Sequence, residues 1–334
     1  EFFMSYILLV IGFIFLIKGA DLFVDGASSI AKTLKIPSLI IGLTIVAFGT
    51  SAPEAAVSIT GAFAGANDIT VGNVVGSNIF NLLVVVGVAA FISPLNVKKS
   101  IIAKEFPFAL LGAFVLIVLG LDSKYHNYTD NVLTRADGIM LLVLLGIFMY
   151  YLIELALTAR KEGKDQEDEE EIKSYPLPKS ILLSIIGIVG IVIGGDLVVD
   201  SASNIALAWG MSQSLVGLTI VAVGTSLPEL VTSIVAARKG ESDIALGNVI
   251  GSNIFNIFFV LGISSFIHEI TINSAVFLDM FIMMAASFIT YGFAASKRSI
   301  NKKEGAFLVC LYVAYMIFVI WKGKKGVSLF FFVK

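Results

Sequence analysis

Ten apolar runs, each about 20 residues long, follow one another along the 334-residue chain. A helix needs about 20 apolar residues to cross roughly 30 Å of hydrocarbon, and its backbone polar groups must be bonded within the helix there. The composition agrees, because 57% of the residues are hydrophobic and only 14% are charged. We therefore predict an all-α membrane protein with ten transmembrane helices. The predicted spans, numbered 1 to 10, are 6–31, 37–64, 69–93, 101–121, 135–158, 180–206, 213–237, 243–267, 273–295 and 303–321.

A single strongly polar segment, from Arg160 to Lys179, divides the ten runs into two sets of five. It carries a dense group of acidic residues and predicts a solvated linker. The acidic residues are Asp165, Glu167, Asp168, Glu169, Glu170 and Glu171. We expect a first five-helix repeat at 4–158, an acidic linker at 159–179 and a second five-helix repeat at 180–323.

The two halves are copies of each other without a gap. Each copied residue lies 175 positions after its counterpart, and the peptide 76–81 is identical to the peptide 251–256. About half of the positions from 19 to 87 are the same in both copies. Because each half has an odd number of spans, the second copy must enter the membrane from the opposite side. This inverted-topology repeat is typical of secondary transporters, whose ion sites lie at the repeat interface.

Lysine and arginine residues concentrate in alternate connections between the spans. The positive-inside rule assigns these connections to the cytoplasm. They are the connections around 32–35, 98–104, 160–179, 238–239 and 297–303. We therefore expect both termini outside the cell membrane and the linker 159–179 in the cytoplasm. The net charge of −2 gives no indication of a nucleic-acid partner.

Two glutamates at corresponding positions of the repeat stand inside apolar runs, and a carboxylate in hydrocarbon is costly enough to indicate function. Glu54 closes the peptide Gly-Thr-Ser-Ala-Pro-Glu, and Glu229 closes Gly-Thr-Ser-Leu-Pro-Glu. Each proline lacks the N–H that would bond the residue four positions earlier, which frees a backbone carbonyl. We expect broken helices at spans 2, 3, 7 and 8 around a site at the middle of the membrane.

Neutral oxygen donors share helix faces with the two glutamates. Residues three, four and seven apart lie on one face. The faces are Ala47, Thr50, Ser51 and Glu54; Ala222, Thr225, Ser226 and Glu229; Ser77 and Asn81; and Ser252 and Asn256. Carboxylate, amide, hydroxyl and carbonyl oxygens suit hard cations such as calcium, whereas zinc or copper would favour imidazole or thiolate. Two glutamates neutralise one Ca²⁺, and several sodium ions could occupy overlapping oxygens.

An empty pocket of this kind would carry two buried negative charges. It should therefore resist crossing the membrane or take up protons. This behaviour couples the ions into exchange, with sodium or protons as the counter-ion.

The duplicated motifs G-T-S-x-P-E and G-S-N-x-x-N resemble the alpha repeats of the calcium/cation antiporter superfamily, in particular the prokaryotic sodium/calcium exchangers. The resemblance covers nearly the whole chain. It implies exchange of several sodium ions for one calcium ion by alternating access, in which spans 1 and 6 slide across the other eight. No cofactor and no enzymatic activity are expected, and the transported ions and the lipid bilayer are the partners of a protein that functions as a monomer.

The resemblance also implies roles for the pocket residues. Glu54 and Glu229 would be the central ligands of calcium and sodium, and Thr50 and Thr225 would contribute to the same centre. Asn81 and Asn256 would complete the middle of the pocket. The flanking sodium sites would use Ala47, Ser51, Ser77, Ala222, Ser226 and Ser252. Some relatives carry Asp where this chain has Asn256, and a carboxylate there accompanies potassium dependence, so Asn256 argues against potassium co-transport.

Three other functions stay open at this point. A proton/calcium antiporter of the same fold would exchange protons at the same glutamates. A cation channel would use the glutamates as a filter, although channels are usually built around a symmetric oligomeric pore. A membrane enzyme is the weakest alternative, because no set of nucleophile, base and orienting residue is recognisable.

Overall fold

A computed structural model describes residues 2–63, 67–121, 131–162, 175–210, 222–272 and 274–325 of the chain. Nearly all of these residues are helical. In chain order the helices are α1 (Phe2–Leu34), α2 (Ser38–Thr50), α3 (Ala52–Phe63), α4 (67–92), α5 (Ile101–Leu119), α6 (Arg135–Glu162), α7 (Leu177–Ala208), α8 (Ala222–Gly224), α9 (Leu227–Arg238), α10 (Ser242–Ile267), α11 (Ser274–Lys297) and α12 (Lys302–Lys325).

Four short strands connect the helices outside the apolar runs. They are β1 (Leu95–Asn96), β2 (Asn131–Leu133), β3 (Ile270–Ile272) and β4 (Ser299–Ile300). β1 pairs antiparallel with β4, and β2 pairs antiparallel with β3. Each ladder therefore joins a connection of the first half of the chain to a connection of the second half.

Eight of the described helices are long and apolar enough to cross a membrane, and the bent pair α2 and α3 makes a ninth candidate. All of these agree with the predicted spans to within a few residues. Of predicted span 7, only the part from residue 222 onward, in α8 and α9, belongs to the described residues. The chain is therefore a multi-pass helical membrane protein, as predicted.

Helices α4 and α10 form the centre of the structure. In the most apolar window of α10, 94% of the residues are buried, whereas the corresponding figure for α12 is 11%. Close glycine contacts bring α2 against α10, because a Cβ added to Gly251 would lie 2.7 Å from the Cβ of Ala47. A Cβ added to Gly247 would likewise lie 3.0 Å from the backbone of Gly42. The side chains that α2 and α10 carry are therefore held close together.

The predicted interruption of span 2 is present and has a local cause. The axes of α2 and α3 differ by 51°, and Ser51 lies at the bend with φ −82° and ψ 6°. Pro53 has no N–H for the carbonyl of Gly49, so the helical bonding pattern stops there. The proline is then the second residue of the new helix, a position that tolerates it. Ser226 and Pro228 form the same arrangement between α8 and α9.

The prediction that spans 3 and 8 are also broken is wrong. Both α4 and α10 continue without a sharp bend. They instead contain π-helical stretches, Asn81–Val85 in α4 and Asn256–Leu261 in α10. Neither helix contains a proline, so nothing removes a backbone donor, and the chain adjusts by a wider turn instead of a break. Such π-helical turns occur frequently at functional sites, and here both begin at the pocket asparagines.

Helices α1 and α7 form an unusually close antiparallel pair. Gly12 of α1 faces Gly194, whereas Gly26 faces Ser180, so the two helices run in opposite directions. A Cβ added to Gly19 would lie 2.7 Å from the backbone nitrogen of Ile191. Small residues of this kind let helix backbones approach each other in a membrane. The two helices are therefore in backbone-to-backbone contact over several turns.

Candidate ion-binding site

Glu54 and Glu229 are both fully buried, with 0% of their surface exposed. Each lies in the first turn of a helix that begins at an interruption, α3 for Glu54 and α9 for Glu229. The positive end of the helix dipole favours a negative charge in this turn. The break thus positions each carboxylate and offsets part of the cost of burying it.

Reciprocal bonds link each glutamate to the other half of the chain. The hydroxyl of Ser51 donates to Oε1 of Glu229 over 2.9 Å, and the hydroxyl of Ser226 donates to Oε1 of Glu54 over the same distance. The two serines are counterparts in the repeat, as are the two glutamates. The two interruptions of the fold therefore form one pocket and not two separate ones.

Asn81 and Asn256 also lie at the contact between the halves, and both are fully buried. The amide nitrogen of Asn81 donates to Oδ1 of Asn253 over 3.1 Å, and that of Asn256 donates to Oδ1 of Asn78 over 3.0 Å. Among the described residues, the amide oxygens of Asn81 and Asn256 accept no hydrogen bond. Each amide therefore has a free acceptor oxygen opposite the bond that holds its nitrogen.

Several buried oxygen atoms of this region have no hydrogen-bond partner among the described residues. They are Oε2 of Glu54, Oε2 of Glu229, Oδ1 of Asn81, Oδ1 of Asn256, Oγ of Ser77 and Oγ1 of Thr225. An unpaired buried polar atom costs about 1–3 kcal/mol, and more when it is charged. All six atoms belong to residues that the sequence predicts as ligands. Such a set of oxygens has the chemistry of a hard-cation site.

Thr50 and Thr225 are counterparts with different bonds. Oγ1 of Thr50 lies 2.9 Å from Oδ1 of Asn248 and 3.1 Å from the carbonyl of Val46, so its proton is already engaged. The amide of Asn248 donates in turn to the carbonyl of Glu229 over 3.3 Å. Asn73 makes the matching bond to the carbonyl of Glu54 over 3.4 Å. Asn73 of α4 and Asn248 of α10 thus each bond a helix that follows an interruption, α3 and α9 respectively.

The remaining predicted ligands lie around the same centre. Oγ of Ser252 is 3.4 Å from Oε1 of Glu229 and 3.5 Å from the carbonyl of Ala47. Ala47 is fully buried. The backbone of Ala222 begins α8, and its side chain lies outside what the structure describes. A serine hydroxyl that donates its proton keeps lone pairs that can bind a cation.

The charge of the pocket comes from the two glutamates. Among the described residues, neither carboxylate forms an ion pair with Lys or Arg. Within the same residues, no three His, Cys, Asp or Glu side chains come together. Two buried carboxylates in one pocket need a compensating positive charge, since an unpaired buried charge is strongly unfavourable. A divalent cation, several monovalent cations or protons would supply it.

Two features of the structure escaped the sequence-based prediction. Gly12, Gly19 and Gly26 recur every seven residues on α1, and this spacing would have indicated the close contact with α7. The second feature is an ion pair between Lys239 and two aspartates of α1. Nζ of Lys239 lies 2.7 Å from Oδ1 of Asp21 and 2.6 Å from Oδ1 of Asp25. No local pattern indicates a contact between residues so far apart in the chain.

The fold and the buried oxygens together define a multi-pass membrane protein with a candidate ion site between its helices. The chain belongs to the family described as "Sodium/calcium exchanger protein", whose profile matches residues 4–154 and 179–321. The resemblance drawn from the repeated motifs is therefore confirmed. The family consists of transporters and not of enzymes.

Named relatives cover nearly the full length of the chain. The sodium/calcium exchanger MaX1 of Methanosarcina acetivorans is 33% identical over 94% of this chain and 97% of its own length. The inner membrane protein YrbG of Escherichia coli is 35% identical over 94% of this chain and 96% of its own length. A solved structure of the sodium-calcium exchanger NCX_Mj, soaked with Na⁺ and Sr²⁺, superposes with a TM-score of 0.81. It is 32% identical and covers 95% of this chain and 99% of that chain.

Proposed function

We propose that this protein exchanges several sodium ions for one calcium ion across the cell membrane by alternating access. One observation carries the proposal: buried oxygens of two carboxylates, two amides and two hydroxyls have no partner among the described residues. Calcium takes six to eight oxygen ligands, and sodium accepts the same type of donor. The membrane architecture and the family membership support the same conclusion.

The proposed ligands are the residues predicted from the sequence. Glu54 and Glu229 supply the two negative charges, and Thr50 and Thr225 complete the centre with them. Asn81 and Asn256 supply amide oxygens at the middle of the pocket. The flanking sodium sites use Ala47, Ser51, Ser77, Ala222, Ser226 and Ser252. Calcium and sodium are the transported substrates, and no cofactor takes part.

We further infer ten transmembrane helices arranged as two inverted five-helix repeats, at 4–158 and 180–323. The antiparallel contact of α1 with α7 supports the inversion, because these helices are counterparts in the repeat. The reciprocal serine bonds support a common pocket, which a single chain completes, so the protein functions as a monomer. Both termini lie outside and the linker 159–179 is cytoplasmic. A single cysteine at position 165, in a Cys310→Ser background, should react with an impermeant thiol reagent only from the cytoplasmic side.

The close glycine contact supports a mechanism in which α1 and α7 move together. Because their backbones touch at Gly19 and Gly187, neither helix can slide past the other without losing the fit. Sliding of the pair across the remaining helices would open the pocket to one side and close it to the other. A doubly negative empty pocket resists this movement, so the sliding requires bound ions.

Purified protein in liposomes provides the test. Vesicles loaded with sodium chloride should take up labelled calcium, and vesicles loaded with choline chloride should not. A potential that is positive inside should speed the uptake, because more than two sodium ions leaving for each calcium ion carry net positive charge outwards. Calcium uptake at a rate that does not depend on the sodium gradient would contradict the proposal.

Two further arms of the same assay address the alternatives. A pH jump without sodium should leave calcium uptake at the background level, whereas proton-driven uptake would identify a proton/calcium antiporter. Replacement of potassium by choline on both sides should not change sodium-driven uptake, and a loss would show potassium co-transport. Unitary currents in a planar bilayer would indicate a channel.

A further inference from the structure

The orientation of the Asn256 side chain follows from a chain of hydrogen bonds that ends at a backbone carbonyl. A carbonyl can only accept, so the amide nitrogen of Asn78 must face the carbonyl of Asn253, to which it donates over 3.2 Å. The oxygen of Asn78 therefore faces Asn256, whose nitrogen lies 3.0 Å away. An amide whose nitrogen is held in this way turns its oxygen to the opposite side, where it can act as an acceptor.

The counterpart bond in the repeat has the same form. The amide nitrogen of Asn81 lies 3.1 Å from Oδ1 of Asn253. All four asparagines are nearly or fully buried, with 4% exposure or less. Among the described residues, the oxygens of Asn81 and Asn256 have no partner. Both pocket amides thus turn the oxygen away from the bond that holds the nitrogen, and for Asn256 the carbonyl of Asn253 fixes this orientation.

We infer that Asn78 and Asn253 are positioning residues that determine which atom of Asn256 and Asn81 is offered to the transported cation. A free asparagine side chain can present either its oxygen or its N–H₂ group, since the two ends have nearly the same shape. An N–H₂ group directed at a cation would repel it and would remove one ligand. The side-chain oxygens of Asn78 and Asn253 accept from the nitrogens of Asn256 and Asn81 and so disfavour this alternative. This inference rests on the proposed role of Asn81 and Asn256 as ligands.

A cycle of substitutions tests the inference on the full-length protein, with strontium binding in detergent as the measurement. Asn78→Leu keeps a side chain of similar size but removes the acceptor for Asn256. It should weaken strontium binding on the order of 10- to 100-fold, as is usual when the partner of a metal ligand is removed. Asn256→Asp supplies the matched background, because both carboxylate oxygens accept and no particular rotation is needed.

The two roles of Asn78 predict different results in this cycle. If Asn78 positions the amide, Asn78→Leu should weaken strontium binding by less than about threefold in the Asn256→Asp background. A change of this size is close to the error with which the effects of two independent substitutions add. If Asn78 serves only to join helices, Asn78→Leu should weaken strontium binding by the same factor in both backgrounds. That result would overturn the inference. Unchanged strontium affinity of Asn78→Leu in the natural background would overturn it as well.

A second cycle keeps the test decisive if Asn78→Leu does not fold. Asn253→Leu leaves in place the backbone carbonyl to which Asn78 donates, and Asn81→Asp is its matched background. The same two outcomes then apply. Sodium-driven calcium uptake by the unmodified protein is measured alongside. If the unmodified protein exchanges the ions but the cycle shows equal costs, this inference alone fails; if it does not exchange them, the proposed function fails.

Discussion

The pocket and the contact of Lys239 with α1 differ in how far the two halves of the chain agree. In the pocket, Ser51 and Ser226 each hold the glutamate of the opposite half at 2.9 Å. On α1, Lys239 binds Asp21 and Asp25. The counterparts of these aspartates on α7 are Asp196 and Asp200, and the counterpart of Lys239 in the sequence is an alanine at position 64.

This difference separates two requirements on the same fold. Under the proposed exchange, the pocket must present the same oxygens from either side of the membrane, which accounts for the identical residues of both copies there. The ion pair with α1 uses a lysine whose counterpart is an alanine, so this contact is free to differ between the copies.

The largest expected effect concerns the glutamates of the pocket. Glu54→Gln and Glu229→Gln should each reduce sodium-driven calcium uptake by at least about 100-fold, because each removes one of two charges that compensate Ca²⁺. The matched control is Glu105→Gln. Glu105 is also fully buried but accepts a hydrogen bond from Tyr151, between α5 and α6. Its variant should transport normally, and normal uptake by either pocket variant would contradict the assignment.

The two reciprocal bonds from serine to glutamate should contribute equally to ion binding. Ser51→Ala and Ser226→Ala each remove a hydrogen bond to a carboxylate, which is worth about 1.5–3 kcal/mol. Each variant should weaken strontium binding by about tenfold or more, and the two losses should agree within about threefold. Isothermal titration measures both. Loss of affinity in only one variant would show that the pocket is less symmetric than its hydrogen bonds.

The contact between α1 and α7 should respond strongly to a single methyl group. Gly19→Ala would place its Cβ 2.7 Å from the backbone of Ile191, so the helices must separate, at a cost of about 1–3 kcal/mol. Gly292→Ala in α11 is the control, because a Cβ there meets no described atom within 4 Å. Thermal unfolding in detergent should show a lower Tm for the first variant and an unchanged or higher Tm for the second. Equal Tm values would refute the close contact.

The smallest expected effect concerns Lys239. Its side chain is 25% exposed, and pairs of this kind contribute up to about 1 kcal/mol. Lys239→Ala should therefore speed amide hydrogen exchange around residues 19–30 of α1 by up to about fivefold, with no change around 196–208 of α7. Lys297→Ala, at an exposed lysine of α11, is the control. Unchanged exchange in α1 would remove the ion pair as a source of asymmetry between the copies.

The length of the apolar runs predicted the helices well, because a membrane span has a fixed length and few charges. The pocket was also accessible from the sequence, since Glu54 and Glu229 stand in hydrocarbon and repeat at a constant offset. Proline indicates correctly where α2 ends. It gave no information on α4 and α10, where the helix widens at Asn81 and Asn256 without losing a donor.

Contacts that depend on tertiary structure could not be predicted in the same way. The approach of Lys239 to Asp21 joins residues on opposite sides of the linker, and no local periodicity encodes it. The orientation of the Asn256 amide depends on the backbone carbonyl of Asn253, which any residue at that position would supply. Sequence identifies the donor atoms, whereas packing decides which of them remain free.

The reciprocal hydrogen bonds of the pocket have a consequence for the origin of such a chain. Ser51 bonds Glu229, and Ser226 bonds Glu54. Each half supplies both the donor and the acceptor of the same contact, as the subunits of a two-fold symmetric dimer do. A five-helix ancestor encoded by an unduplicated gene would thus already have carried every group needed to assemble this cavity from two identical polypeptides. Fusion would then have freed each copy to change independently at its ends.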